Sequence, residues 1–239
     1  MRIFVAGASG AIGRRLVPML VAAGHSVTGA TRTPVRASAV EAMGATPAIV
    51  DAFDRDAVMD ALAAARPEVV IHQLTDLPQA FDPAALAAAG AGNARLRKEG
   101  TRNLVDAALA AGARRFIAQS IAFVYAPGGE PHGEGDPLDG SGAQATSVGG
   151  VRALEDAVTG TAALAGLILR YGRLYGPGTW RETPGQPPAL HVDAAAMAAV
   201  LAVTKGAPGI YNIADADGAV VIDKARRGLG FDPSFRVAG

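Results

Sequence analysis

The sequence predicts an α/β fold built on a doubly wound parallel sheet. Three observations carry that prediction. Short β-branched runs alternate with long Ala- and Leu-rich stretches over most of the 239 residues. The strand-like runs are apolar at nearly every position, as in strands covered on both faces. Glycines fall just after helix-like runs, at Gly24 and Gly112, where left-handed caps end helices.

The elements follow in order. "RIFVA" (2–6) reads as a buried strand and "AIGRRLVPMLVAAG" (11–24) as a helix that Pro18 is expected to bend. "HSVTGAT" (25–31) is the second strand, and "TPAIV" (46–50), "EVVIH" (68–72), "RRFIAQS" (114–120) and "LILR" (167–170) continue the set. Helices are expected over 34–43, 54–65, 83–111 and 144–163. After about residue 171 the order loosens. "YGRLYGPGTWRETPGQPPAL" is rich in Gly and Pro and reads as loop. "VDAAAMAAVLAVTKG" (192–206) reads as helix, "GIYNIA" (209–214) as a short strand, and "IDKARRGLG" carries one last helical signal. The expected organisation is a nucleotide-binding part over 1–170 and a reduced C-terminal segment over 171–239, packed on it as one compact unit.

Composition bounds the function. Half of the residues are apolar, enough for a sizeable core, and 22 basic residues balance 22 acidic ones. Such a balance advertises neither nucleic acid nor an acidic membrane as partner. With no cysteine there is no thiolate nucleophile, disulfide or cysteine zinc site, and no metal site is expected. Met1 runs straight into a strand without a basic-then-apolar leader, and no apolar run reaches about 18 residues. The expectation is a soluble, cytoplasmic protein acting on a small molecule.

"VAGASGAIG" places Gly7, Gly10 and Gly13 at G-x-x-G-x-x-G spacing between a strand and a helix. The first glycine permits the tight turn, the second lets backbone approach a pyrophosphate, and the third lets helix and strand pack closely. The helix N-terminus adds N–H donors and the positive end of its dipole. This context predicts a Rossmann dinucleotide site, with Ser9, Ala11 and Ile12 in the same turn. Strand two ends in "GATRTPVRA", with Arg32 and Arg36 where NAD sites usually carry an acid. A guanidinium holds a 2′-phosphate bidentately, so NADP(H) is preferred over NAD(H). Asp51 and Ala52 of "VDAFD" are placed at the adenine, and Gln73 and Leu74 after strand four at the crevice. His72 at that strand end reads as a satisfied structural histidine.

These residues and others resemble the extended short-chain dehydrogenase/reductases, the NAD-dependent epimerase/dehydratase family. "GASGAIG", "VDAFD", "EGTRNLVDAALAAGARRFIAQSIAFVYAPGG", "LRYGRLYGPG", "HVD", "GIYNIAD" and "KARRGLGFDP" look like its ordered signatures. The resemblance implies an NADP-dependent oxidoreductase of carbonyl reductase, epimerase or dehydratase type, acting on a fairly large, biosynthetic small molecule. It also implies a homodimer through the helices that include 83–111 and 144–163.

The departures from the family concern its chemistry. Its catalytic Ser/Thr falls at Ile121, with Ser120 one step away, and its relay Asn falls at Arg97. Counting from Glu155 sets Val148 at the Tyr and Arg152 at the Lys of Y-x-x-x-K. Substrate-binding segments normally present after the G-P-G loop and after "NIADADG" are shortened, which implies a wide, shallow site. Ser120, Tyr125 and Arg152 stand as candidate catalytic residues, with Ser147, His191 or water as further donors. Arg152 is equally suited to a ribose, phosphate or carboxylate ligand and to a pair with Glu155 or Asp156. Gly149 and Gly150 cost a helix roughly 1 kcal/mol each against alanine, and are expected to leave room for a cofactor or bulky substrate. Losing acid–base catalysis forfeits about 10²–10⁴-fold, whereas proximity supplies about 7–11 kcal/mol, so hydride transfer survives the loss. The alternatives are a non-redox cyclase, isomerase or dehydratase, and an NmrA-like nucleotide-binding sensor.

Overall fold

The computed structural model describes residues 1–78 and 80–237. Strands β1 (Arg2–Ala6), β2 (Ser26–Thr31), β3 (Thr46–Ile49), β4 (Val69–His72), β5 (Arg115–Ile121) and β6 (Ala165–Tyr171) alternate with helices α1 (Gly13–Ala22), α2 (Pro34–Ala42), α3 (Arg55–Ala65), α4 (Pro83–Arg95), α5 (Thr101–Ala110) and α6 (Ala145–Thr159). Then come β7 (Arg173–Tyr175), β8 (Ala189–His191), α7 (Val192–Ala202), β9 (Gly209–Ile213) and α8 (Asp223–Leu229). Seven strands form one parallel sheet in the order β3-β2-β1-β4-β5-β6-β9. The doubly wound α/β architecture is thus as the sequence predicts. The segment after residue 170 contributes β9 to this same sheet.

Alternation along each strand explains the apolar runs. Ile3, Val5, Val69, Ile71, Ile117, Leu167 and Leu169 face the layer of α1, α7 and α8. Phe4, Ala6, Val70, Phe116 and Ile168 face the opposite layer, with Leu62 of α3, Leu104 of α5 and Leu154 of α6. A strand whose successive side chains enter different cores must be apolar throughout.

Three local departures from the sequence reading have physical causes. Pro18 sits inside α1 on its exposed side, and the helix continues through it to Ala22. The expected helix 83–111 is interrupted by a π turn at Leu96–Gly100, which keeps Leu96 and Gly100 both buried. The stretch read wholly as loop contains β7 and β8, paired in parallel from Arg173↔Ala189 to Tyr175↔His191. Three-residue strands are too short to print a period of two.

Candidate active site

The crevice opens at the carboxyl ends of β1 and β4, where the chain's connections leave in opposite directions, the place where open α/β sheets bind ligands. β1 turns at Gly7, whose φ of +92° suits glycine. A Cβ on Gly7 would come 2.8 Å from the Gln73 carbonyl oxygen, and one on Gly13 would overlap the Gly7 and Ala8 carbonyls. The turn leads through Ala11, Ile12 and Gly13 into α1, whose first N–H groups have no carbonyl partner within the helix. The cleft holds about 800 Å³, its open mouth included, and is lined by Gly7, Ser9, Gly10, Arg32, Arg36, Asp51, Ala52, Gln73 and Leu74. Ala11, Ile12 and Gly13 stand beside it at the helix start.

The donor set fits a dinucleotide. A side-chain-free turn at a helix N-terminus accepts a pyrophosphate. Ser9 Oγ lies 3.3 Å from Thr31 Oγ1 below Arg32 and Arg36. Asp51 Oδ1 accepts from Phe53 N at 3.0 Å, which fixes the carboxylate at the rim. Gln73 donates through Nε2 to Tyr171 OH at 3.3 Å, and its buried Oε1 finds no partner among the described residues. Gln73 is itself one of the cleft's lining residues, and an unpartnered buried acceptor there calls for a donor.

Deeper in the crevice, His72 is buried and neutral. Its Nδ1 accepts from Leu74 N at 3.2 Å, so Nε2 carries the proton toward Thr101 Oγ1 at 3.0 Å. Burial first, and then the Arg97 charge, hold its pKa down to about 4. Arg97 projects from the π turn, and its Nη1 donates to Ser147 Oγ across 3.4 Å. Burial pushes the Arg97 pKa down, and the Glu155 charge offsets only part of that.

Behind Arg97 lies a saturated ion pair. Glu155 Oε1 accepts from Ser120 Oγ at 2.7 Å and from Arg170 Nε at 2.8 Å, while Oε2 accepts from Arg170 Nη2 at 2.6 Å. Arg170 Nη1 reaches Tyr125 OH at 2.9 Å and the Glu134 carbonyl at 3.1 Å. Tyr125 OH donates in turn to Asn212 Oδ1 at 2.6 Å, and burial pushes its pKa up. Ser120 and Tyr125, two of the candidate proton donors, are brought together here as members of one buried network.

Residues 7–202 match the family described as NAD(P)H-binding. The 3-diazoavenalumate denitrifying reductase of a Streptomyces species is 44% identical over 245 residues, covering 90% of this chain and 76% of that one. The chain belongs to the NAD(P)H-binding family. The UDP-glucose 4-epimerase of Thermotoga maritima, solved with UDP-glucose, superposes with a TM-score of 0.81 at 18% identity, over 99% of this chain and 94% of that one. The UDP-glucuronic acid 4-epimerase of Bacillus cereus, solved with NAD, gives 0.74 at 18%, over 99% and 94%. They share its fold.

In this NAD(P)H-binding chain α6 presents one face toward Arg97 and Arg170. Ser147, Val151 and Glu155 recur every four residues and form one stripe. Ser147 meets Arg97 at one end, and Glu155 meets Arg170 at the other. Val148 lies one step round, fully buried among Ile121, Val124 and Val151. Arg152 is exposed, far from the cofactor cleft, and donates to the Leu138 carbonyl at 3.2 Å instead of pairing with Glu155. Gly150 makes no room for a ligand. A Cβ there would come 2.8 Å from Ala94 Cα, so this glycine lets α6 pack on α4. Gly149 faces open space. His191 caps α7, its Nδ1 accepting from Asp193 N at 3.2 Å.

The sequence reading missed Asp76, which lines the cleft and faces Arg32 Nη1 at 3.8 Å. Its signal was present in "HQLTDLP", two residues past Leu74. It missed the Glu155–Arg170 pair as well, because burial of a charge leaves no mark in sequence. Trp180 Nε1 donates to the Pro78 carbonyl at 3.1 Å, with its ring 5.8 Å from that of Phe81. That contact joins the loop after β7 to the loop whose first residues line the cleft.

Proposed function

We propose that the protein is an NADPH-dependent reductase whose substrate accepts hydride without a proton from the enzyme, and that the acceptor is an aryl diazonium group. One observation carries the reading. The cofactor end of the crevice is complete, while the α6 stripe beside it offers Ser147 and Val151, with Val148 buried, in place of a tyrosine–lysine pair. Ser120 and Tyr125 serve the Glu155–Arg170 network, and Arg152 braces the 138–140 loop. On this reading none of the three has to donate a proton.

A carbonyl group needs protonation as it accepts hydride. A diazonium does not, because its terminal nitrogen relieves a positive charge when it takes the hydride. Bound NADPH supplies that hydride. The new N–H bond gives a diazene, whose hydrogen moves to carbon as the C–N bond breaks and dinitrogen leaves. No net proton enters or leaves, and one NADPH becomes one NADP⁺. The similar Streptomyces protein is named for denitrifying a diazo compound, which supports this acceptor. The protein's own share is placement. The glycine turn and α1 would hold the pyrophosphate, Arg32 and Arg36 the 2′-phosphate, and Gln73 Oε1 a cofactor donor. Positioning of two reactants alone supplies about 7–11 kcal/mol.

The test is turnover of an aryl diazonium salt with NADPH deuterated at C4. We expect loss of NADPH absorbance, release of N₂, and deuterium at the carbon that carried nitrogen. Deuterium-free product, or NADPH consumption with carbonyl compounds alone, would sink the proposal.

A further inference from the structure

The buried charges beside the crevice do not balance. Two guanidiniums, Arg97 and Arg170, share one buried carboxylate, Glu155. Both oxygens of that carboxylate are taken by Arg170, in a bidentate pair at 2.6 and 2.8 Å, and Oε1 also accepts from Ser120. Arg97 feels Glu155 only at longer range. Among the described residues no carboxylate lies within ion-pair distance of Arg97, and its one side-chain hydrogen bond is the long contact to Ser147. The imidazole nearest it, His72, is held neutral and brings no compensating charge.

A partly buried guanidinium without a counter-ion keeps its charge available to an anion from outside the fold. The position says what kind of ligand that is. Arg97 follows Leu96, which lines the cleft, and it faces Ser147 at the first turns of α6. A hydroxyl beside a guanidinium makes a donor pair for oxygen anions. Ser147, with its short side chain, is the α6 residue that meets it.

We infer that Arg97 and Ser147 form an anion subsite that binds a carboxylate or phenolate of the substrate and so orients it beside the cofactor. The inference rests on reading the crevice as a nicotinamide site. The subsite takes an organic acid and disfavours the corresponding ester or amide. Arg97 is then a specificity-determining residue.

The experiment uses benzoate as probe and benzamide as its neutral counterpart, titrated calorimetrically into the full chain saturated with NADP⁺. Benzoate is expected to bind and benzamide to bind at least about 10-fold more weakly, the scale of one charge-assisted hydrogen bond. Arg97→Gln should weaken benzoate by about 10- to 100-fold, leave benzamide unchanged, and retain NADP⁺ affinity as the check on folding. Arg97→Lys should restore part of the loss, and Ser147→Ala should cost a smaller factor. If Arg97→Gln fails to fold, Arg97→Lys and Ser147→Ala still decide the matter through the benzoate-to-benzamide ratio. Equal binding of the two probes by the native protein, or an unchanged ratio in the variants, overturns the subsite. Turnover of 4-carboxybenzenediazonium against its methyl ester separates the two claims. Diazonium reduction with no preference for the acid, in native protein and variants alike, sinks the subsite and spares the reductase. Benzoate binding that depends on Arg97, without any diazonium turnover, sinks the reductase and spares the subsite.

Discussion

Arg32 faces one anion in the cleft, the carboxylate of Asp76. Its guanidinium lies 3.8 Å from Asp76, with both side chains about half exposed, so the pair itself is weak. A 2′-phosphate on the same guanidinium would carry more charge and more acceptors. Arg32→Ala is therefore expected to raise the Kd for NADPH by about 10- to 100-fold and to leave that for NADH nearly unchanged, as measured by equilibrium titration. Asp76→Asn should tighten NADPH a few-fold by releasing the guanidinium. Losses of similar size for both cofactors would show that Arg32 does not read the phosphate. At the ion pair the balance differs, because burial is complete. Glu155→Gln strands Arg170, and should cost about 3–5 kcal/mol in denaturant unfolding. Of the residues that line the cleft, those in glycine and acid signatures were legible in the sequence, because turn geometry and ligand chemistry restrict residue type there. Arg97 was legible as a substitution only, since its surroundings come from two helices distant in sequence.

Helix α6 separates packing from propensity at adjacent positions. Gly149 faces open space, so Gly149→Ala should stabilise the protein by up to about 1 kcal/mol. Gly150 meets the backbone of α4, so Gly150→Ala should destabilise by about 1–3 kcal/mol even though alanine favours the helix. Urea unfolding of the two variants gives both signs in one experiment. The same pair shows what residue spacing alone leaves open on α6. A count of residues from Glu155 fixes spacing along a helix, but a one-residue slip rotates each side chain by about 100°, enough to exchange Ser147 for Val148. The π turn at Leu96–Gly100 escaped for a related reason. One added residue leaves the composition of a helix unchanged and alters only which side chains share a face.

The seven-stranded sheet carries a core on each face, and its central strand carries a pH dependence. His72 ends β4, in the middle of the strand order, and is held neutral with a pKa near 4. The unfolded chain takes up a proton at this residue below about pH 6.5, whereas the folded chain waits until about 4. Protonation therefore favours unfolding as pH falls through that window, and stability is lost on acidification, by about 3 kcal/mol over the full interval. Denaturation curves between pH 7 and 5 should show this slope, and His72→Gln should flatten it by as much as one proton. An identical slope in the variant would exclude His72 as the source. At this scale the sequence was most legible. Buried parallel strands write their order into continuous apolar runs, while the placement of β7 and β8 depended on a pairing too short to leave a pattern. No helix of the described residues is long and apolar enough to cross a membrane. The chain's single tryptophan, Trp180, joins the loop after β7 to the loop whose first residues line the cleft. Indole emission overlaps the absorbance of reduced nicotinamide, so the protein carries an optical reporter of its own, able to follow cofactor arrival and oxidation through one fluorescent signal without any label.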